Sequence, residues 1–374
     1  MFRYGPERTG WTTAEATVGP TNVAGLTVAW TGSTAGGGIE TSPAVADGAV
    51  FITGRHDRLY AFPASCSDPC SPLWVSRPHG IFKQSSPAVD NGLLYIGTYH
   101  GLLYAFPTSC TNPCSPVWTG HTSASAIESS PVVADGVVYV GSVDDRLYAF
   151  PASCPARCSP LWTGTPTGGA IYSSPAVAAG DIYVASSDGR LYAYSAACSS
   201  PCSPLWASVP AGGAIQASPA VAGGVVYVPA FDGRLYAYPA ACSDPCSPLW
   251  ASTVFGGQIR SSPAVADGVA YVGSTDHKLY AFPASCSDPC SPLWASTATK
   301  GGIRSSPAVA NGVVYLGSSD HRLYAFPATC STPCAPLWKS EPTGFAIDSS
   351  PAVADGVVYA GSKDTKLYAW ALPG

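Results

Sequence analysis

Fourteen cysteines fall into seven pairs, each with three residues between the sulfurs. The phrase CSDPCSPLW stands at 66–74, 242–250 and 286–294. Edited copies read CTNPCSPVW (110–118), CPARCSPLW (154–162), CSSPCSPLW (198–206) and CSTPCAPLW (330–338). Two thiols this close serve as metal ligands, as a redox centre or as a cross-link. Zinc takes four ligands, and each phrase supplies two with no histidine beside it. Redox motifs hold two residues between the cysteines and open a helix, whereas these hold three in a proline-rich turn. The reading is therefore a disulfide across each turn: Cys66–Cys70, Cys110–Cys114, Cys154–Cys158, Cys198–Cys202, Cys242–Cys246, Cys286–Cys290 and Cys330–Cys334. For so short a loop the chain-entropy model gives about 2 kcal/mol per bridge.

The spacing of these phrases leads to the elements that carry them. Ser-Pro recurs with its proline at 43, 87, 131, 175, 219, 263, 307 and 351, every step being 44 residues. Leu-Tyr-Ala keeps the same step from Leu59 to Leu367, and tryptophan from Trp30 to Trp338. One unit reads I-x-S-S-P-A-V, A-D-G, V-V-Y-V-G-S, x-D-G, R-L-Y-A-F, then the cysteine phrase. Short Val, Tyr, Ile and Phe runs broken by Gly, Asp or Pro are strands and turns. Glycine closes the first turn in all eight copies, Gly48 to Gly356, and Asp or Asn precedes it in six. Those dipeptides suit two-residue hairpins. Four antiparallel strands repeated eight times predict an all-β, eight-bladed propeller spanning 1–374. Blades start near 39, 83, 127, 171, 215, 259, 303 and 347, after an entry segment over 1–38. The last unit ends before its own tryptophan, so Leu26–Thr31 is expected to supply the outer strand of blade eight. Such a shared blade closes the ring and removes open edges.

Composition bounds the function. Hydrophobic residues make up 46 % and charged residues 11 %, as in a packed chain. The net charge of −5 comes with no basic run, which excludes nucleic acid and anionic membrane as partners. No apolar stretch reaches membrane-spanning length. Paired cysteines point to an oxidising compartment. The expected location is secreted, cell-surface or periplasmic, with a signal sequence ahead of Phe2 removed.

Antiparallel topology puts the first-to-second and third-to-fourth turns on one face, which holds the cysteine pairs. The opposite face carries the variation between copies. Three residues before each proline stand Glu40, Gln84, Glu128, Tyr172, Gln216, Arg260, Arg304 and Asp348. One per blade near the axis, they form a polar ring that either binds a ligand or neutralises itself through neighbours such as Arg304 and Asp348. At the second-to-third turn, six copies carry Asp144, Asp188, Asp232, Asp276, Asp320 and Asp364, while blades one and two carry His56 and His100. Lys83 and Tyr99, with Arg55, His79 and Phe82, complete a local cluster there. The basic residue that follows in most copies, such as Arg146, is expected to pair with turn carboxylates.

The unit SSPAVADGVVYVGSxDxRLYAFPA…LW resembles the PQQ-like repeat of quinoprotein and outer-membrane-assembly-type propellers. The opening RTGW…VGPTNVAGLTVAW is similar to that family's entry segment. The family's last hairpin reads A-x-D-x-x-T-G-x-x-x-W. Here the run from Ala61 to Trp74 is three residues longer, and the cysteine turn replaces the Asp and Thr-Gly. The resemblance implies, for the enzymes of the family, PQQ with calcium under a pair of adjacent cysteines. This chain has no Cys-Cys pair, no inserted loop and no evident acidic cluster for calcium. No catalytic triad, zinc signature or phosphate loop appears either. The sequence reading is a monomeric binding scaffold with no cofactor, no metal and no catalytic residue, taking a protein or glycan ligand on its variable face. A quinoprotein-like, PQQ-dependent oxidoreductase is the alternative, and a polysaccharide hydrolase or lyase follows it.

Overall fold

A computed structural model describes residues 5–54, 57–78, 80–82 and 84–373. Blade three shows how the repeat folds. Its strands Val132–Ala134, Val137–Gly141, Leu147–Pro151 and Trp162–Thr163 pair in sequence order, antiparallel throughout. Ala134 faces Val137 across Asp135-Gly136, whose φ angles are 48° and 74°. Two successive positive angles make the tight hairpin that matches strand twist, which is why Asp or Asn before Gly recurs here. The second strand is buried from Val138 to Gly141 because a neighbouring blade covers each face. That accounts for an unbroken apolar run in place of alternation. Gly141 is needed for this packing: a Cβ there would stand 2.3 Å from Cγ2 of Ile171 in the next blade.

Eight such sheets form the ring. The apolar core lies between blades: one cluster joins Tyr95, Leu103 and Trp118 of blade two to Val138, Val140 and Phe150 of blade three. Tryptophan serves the seam twice, since the Trp118 indole N–H also donates to the Ala152 carbonyl at 3.1 Å. Around the axis, the second serine of each Ser-Ser-Pro accepts from the preceding blade. Ser42 N–H donates to Ser86 Oγ, and the same bond repeats blade by blade at 2.8–3.0 Å. Ser350 N–H donates to Ser42 Oγ at 2.9 Å and completes the belt.

Closure follows the expected route with slightly shifted bounds. Blade eight contains Ala352–Ala354, Val357–Gly361 and Lys366–Ala371, and its outer strand is Thr27–Ser33. All seven disulfides form, with Cα atoms 5.6–5.8 Å apart. The loops do more than shut turns. Cys202 N–H donates to the Thr163 carbonyl at 2.9 Å, and Thr165 N–H donates back to the Cys202 carbonyl at 2.7 Å, so the loop of blade four clasps the outer strand of blade three. Asp68, Asp244 and Asp288 add side-chain acceptors for outer-strand amides of the preceding blade.

The entry segment is a strap. Carbonyls of Pro6, Glu7, Thr9 and Gly10 accept from Val177, Val221, Val265 and Val309, the inner strands of blades four to seven, at 2.7–2.9 Å. Trp11–Thr12 extends the sheet of blade seven as a parallel strand. Arg8 is fully buried and donates to the carbonyls of Ser130 (2.9 Å), Pro131 (2.8 Å) and Pro175. Glu15 then takes the Gly356 amide at 2.7 Å. Between blades seven and eight there is no cysteine loop, and Val18, Val23 and Leu26 pack with Leu337 and Trp338 there.

Candidate functional site

The inner strands begin at the face opposite the cysteine loops, and their entry residues meet there. Glu40, Gln84, Glu128, Tyr172, Gln216, Arg260, Arg304 and Asp348 all border one cavity of about 270 Å³ at the channel mouth. Two residues further along the chain, seven of the eight serines of the belt line its depth. Arg8 of the strap is buried against that belt and donates to the Ser130 carbonyl.

Phe231 and Lys363 join this lining from a second position in the repeat. It is the residue just before the second-turn aspartate, namely Val143, Ser187, Phe231, Thr275, Ser319 and Lys363 in blades three to eight. Its backbone fixes it beside the ring. The amides of Phe231, Thr275, Ser319 and Lys363 each donate, at 3.0 Å, to the carbonyl two residues before the ring residue of the same blade. Lys363 Nζ thereby lies 2.7 Å from Asp348 Oδ2 and 3.2 Å from Glu40 Oε1. Burial would push the Lys363 ammonium down, but the Asp348 and Glu40 carboxylates outweigh it and the net shift is upward. Ser319 Oγ donates to Asp348 Oδ1, and the Arg304 guanidinium stands 4.0 Å from Asp348 Oδ2 with its side chain half exposed. Arg260 lies over the Phe231 ring, 4.9 Å from its centroid, and donates to Gln258 Oε1.

The mouth is thus part neutralised and part charged. Self-neutralisation holds where blades seven, eight and one meet, but through Lys363, which the sequence reading did not single out. Its signal was there: the position before the aspartate takes five residue types in six copies while the aspartate does not change. Among the described residues Arg260 makes no ion pair, and Glu128 is buried at 9 % exposure.

The turn aspartates belong to the frame. Asp188 Oδ1 takes the Arg190 amide at 2.9 Å and Oδ2 takes the Tyr192 hydroxyl at 2.6 Å; the pattern repeats at Asp144, Asp232, Asp276, Asp320 and Asp364. Burial, and then the aspartate bond, pushes the phenols of Tyr148, Tyr192 and Tyr236 up to about 12. The expected arginine–carboxylate pairing at this turn is replaced: the guanidiniums of Arg146, Arg190 and Arg234 donate to outer-strand carbonyls at Gly164, Ser208 and Ser252. A carbonyl at the end of that long side chain's reach fixes the fourth strand against the third.

Of the cluster expected on blades one and two, Phe82, Tyr99 and His100 are among the described residues. Phe82 is fully buried against Tyr104. Tyr99 and His100 stack edge to face at 6.0 Å on an exposed turn outside the mouth cavity. Arg55, His56, His79 and Lys83 lie outside the described residues.

The opposite face holds a larger cavity, about 870 Å³, between the strap and the first turns of blades four to six. The sequence reading placed no site there, because it took the entry segment as a lead-in to the closing strand.

With the geometry in place, the chain was compared with known proteins. The family model described as outer membrane protein assembly factor BamB matches residues 71–285 and 247–372. No curated protein sequence matches. Among solved structures, BamB from Moraxella catarrhalis superposes with a TM-score of 0.72 at 15 % identity, covering 92 % of this chain and 99 % of that one. Quinohemoprotein alcohol dehydrogenase from Comamonas testosteroni gives 0.76 at 14 % identity, covering 98 % of this chain and 79 % of that one. The computationally designed protein Ika8 gives 0.77 at 12 % identity, covering 92 % and 99 %. At such identities these structures speak for the fold alone. The family match, spanning most of the chain, carries the assignment: this chain belongs to the PQQ-like propeller family of outer membrane protein assembly factor BamB.

Proposed function

We propose that this protein is an exported, monomeric binding scaffold whose channel mouth takes a polar protein or glycan ligand. One observation carries the reading. The eight blades repeat the same frame bonds nearly residue for residue, while the strand-entry residues vary and converge, with Phe231 and Lys363, on one rim. Carboxamides, carboxylates and guanidiniums edging a small cavity suit a ligand that hydrogen bonds along its outline. Seven disulfides support a compartment outside the cytoplasm, and among the described residues no helix is long and apolar enough to cross a membrane.

The donor set does not fit a calcium-held quinone. Asp348 and Glu40 already share the Lys363 ammonium, which stands where a cation would have to sit. Among the described residues no three His, Cys, Asp or Glu side chains gather as a metal would require. No step is routed through such a group. For glycoside cleavage, Glu40 is engaged by Lys363 and Glu128 stands two blades away.

Glycan and peptide arrays probed with the purified protein test the proposal, alongside a dye-reduction assay with added PQQ, calcium and alcohols. Selective array binding without turnover supports the scaffold. Dye reduction that depends on PQQ, or glycan shortening, overturns it.

A further inference from the structure

The cavity beneath the strap has a built chemistry of its own. Gly5, Glu7, Thr9, Trp11 and Thr13, every second residue of the strap, line one wall, while the side chain between them, Arg8, turns into the channel. The other wall is the row of first turns of blades four to six. Six of the eight copies of that turn carry Asp or Asn before the glycine; blades four and five carry Ala179 and Gly223 instead. Both of those copies line the cavity, beside the Asp267-Gly268 turn of blade six. The side chains missing from the repeat are missing where the space is.

Among the described residues that line it, the charge has one sign: Glu7 and Asp267 stand exposed on the two walls, neither joins an ion pair, and no Lys, Arg or His is present. Between them lie apolar surfaces, with Trp11 partly exposed and Val221 and Val225 beside the turn of blade five. A cleft that runs across three blades, apolar along its length and anionic at its sides, matches an extended chain whose side chains alternate between aliphatic and cationic.

We infer that this cavity is a second binding site, on the face away from the mouth, for an extended basic segment of a partner protein. The inference does not depend on the mouth reading, since the two cavities share no residue. The strap supplies specificity: its backbone is spent on the inner strands, so its alternate side chains are left to read the guest.

The test uses the full-length oxidised protein and a capped, labelled peptide of alternating lysine and valine, followed by fluorescence anisotropy. A peptide with glutamate in place of lysine is the control. Two variants interrogate the walls. E7Q/D267N removes the charge, and A179N/G223N restores to blades four and five the side chain that the other copies carry. The second change suits the backbone, because Asn91 and Asn311 hold φ angles of 45° and 44° at this turn while Ala179 and Gly223 hold 51° and 57°. The expected result is binding that weakens with salt, falls about fivefold for each charge removed and disappears in A179N/G223N at unchanged melting temperature. Equal binding of the glutamate peptide, no binding of the lysine peptide, or binding indifferent to both variants overturns the inference.

Discussion

Ser350 donates its amide hydrogen to the hydroxyl oxygen of Ser42 across 308 residues of sequence, at 2.9 Å. It is the eighth copy of a bond that otherwise links residues 44 apart. Without it the belt is an arc; with it, each blade is held to two neighbours at the axis. Replacing Ser42 by Ala strands a buried amide, a loss of about 1–3 kcal/mol. The unfolding free energy from urea titration is expected to fall by that amount, with a similar fall for Ser174→Ala in mid-ring. A mid-ring loss alone would mean that the ends are not joined through this contact.

Blade five contains a natural control. In six other blades the first serine of the Ser-Ser-Pro run accepts the amide twelve residues on, as Ser173 does from Ala185 at 2.9 Å. At the equivalent places blade five has Ala217 and Pro229, so the hydroxyl and the amide disappear together. Pro229→Gly restores the amide without an acceptor and is expected to destabilise. Adding Ala217→Ser is expected to recover about 1 kcal/mol or more. A double-mutant cycle with no coupling would contradict the pairing.

Lys363 holds two carboxylates, and its effect should depend on pH. A base whose folded pKa is raised contributes stability that is complete below its unfolded pKa and lost as pH rises through the folded one, here above the ordinary lysine range. Lys363→Met removes the ammonium that Asp348 and Glu40 share. The variant is expected to be about 1 kcal/mol less stable than wild type near pH 7, with the difference closing as pH rises above the ordinary lysine range. A deficit independent of pH, followed by denaturant titration, would assign Lys363 a packing role only.

Buried tyrosines set the alkaline limit. Tyr95, Tyr183, Tyr227, Tyr271 and Tyr359 donate across seams to carbonyls of Ala152, Ala240, Ala284, Ala328 and Ala64. Burial, foremost, pushes each phenol up to about 12. A neutral acid raised in this way contributes stability that is complete below about pH 10 and lost as pH climbs through about 12. Phenolate absorbance and loss of circular dichroism should therefore rise together in that window. Ionisation of the whole tyrosine set well ahead of unfolding would show the seams to be open to water.

Repetition made much of this legible. Pro43 to Pro351 and Trp30 to Trp338 gave the period, Asp135-Gly136 the hairpin, and the missing ninth tryptophan the closing strand. Position within the repeat also placed Glu40 through Asp348 around one mouth. What stayed hidden has no internal copy to compare. Arg8 reads as any surface arginine until its carbonyl partners are known, and the strap it belongs to occurs once. Lys363 was overlooked because attention went to the steady aspartate beside it, which serves the Tyr368 hydroxyl, and not to the changing residue. Of the His56 and His100 departures from the aspartate pattern, His100 stands on an exposed turn and His56 lies outside the described residues.

The claim that the mouth is where this scaffold binds rests on variable residues meeting inside an invariant frame. Titrating an array-selected ligand into wild-type protein, into R260S/R304S at the mouth, and into A179N/G223N on the far face tests it in one experiment. The account predicts at least a tenfold loss of affinity for the mouth variant alone, at matched thermal stability. Undiminished affinity in R260S/R304S would contradict it.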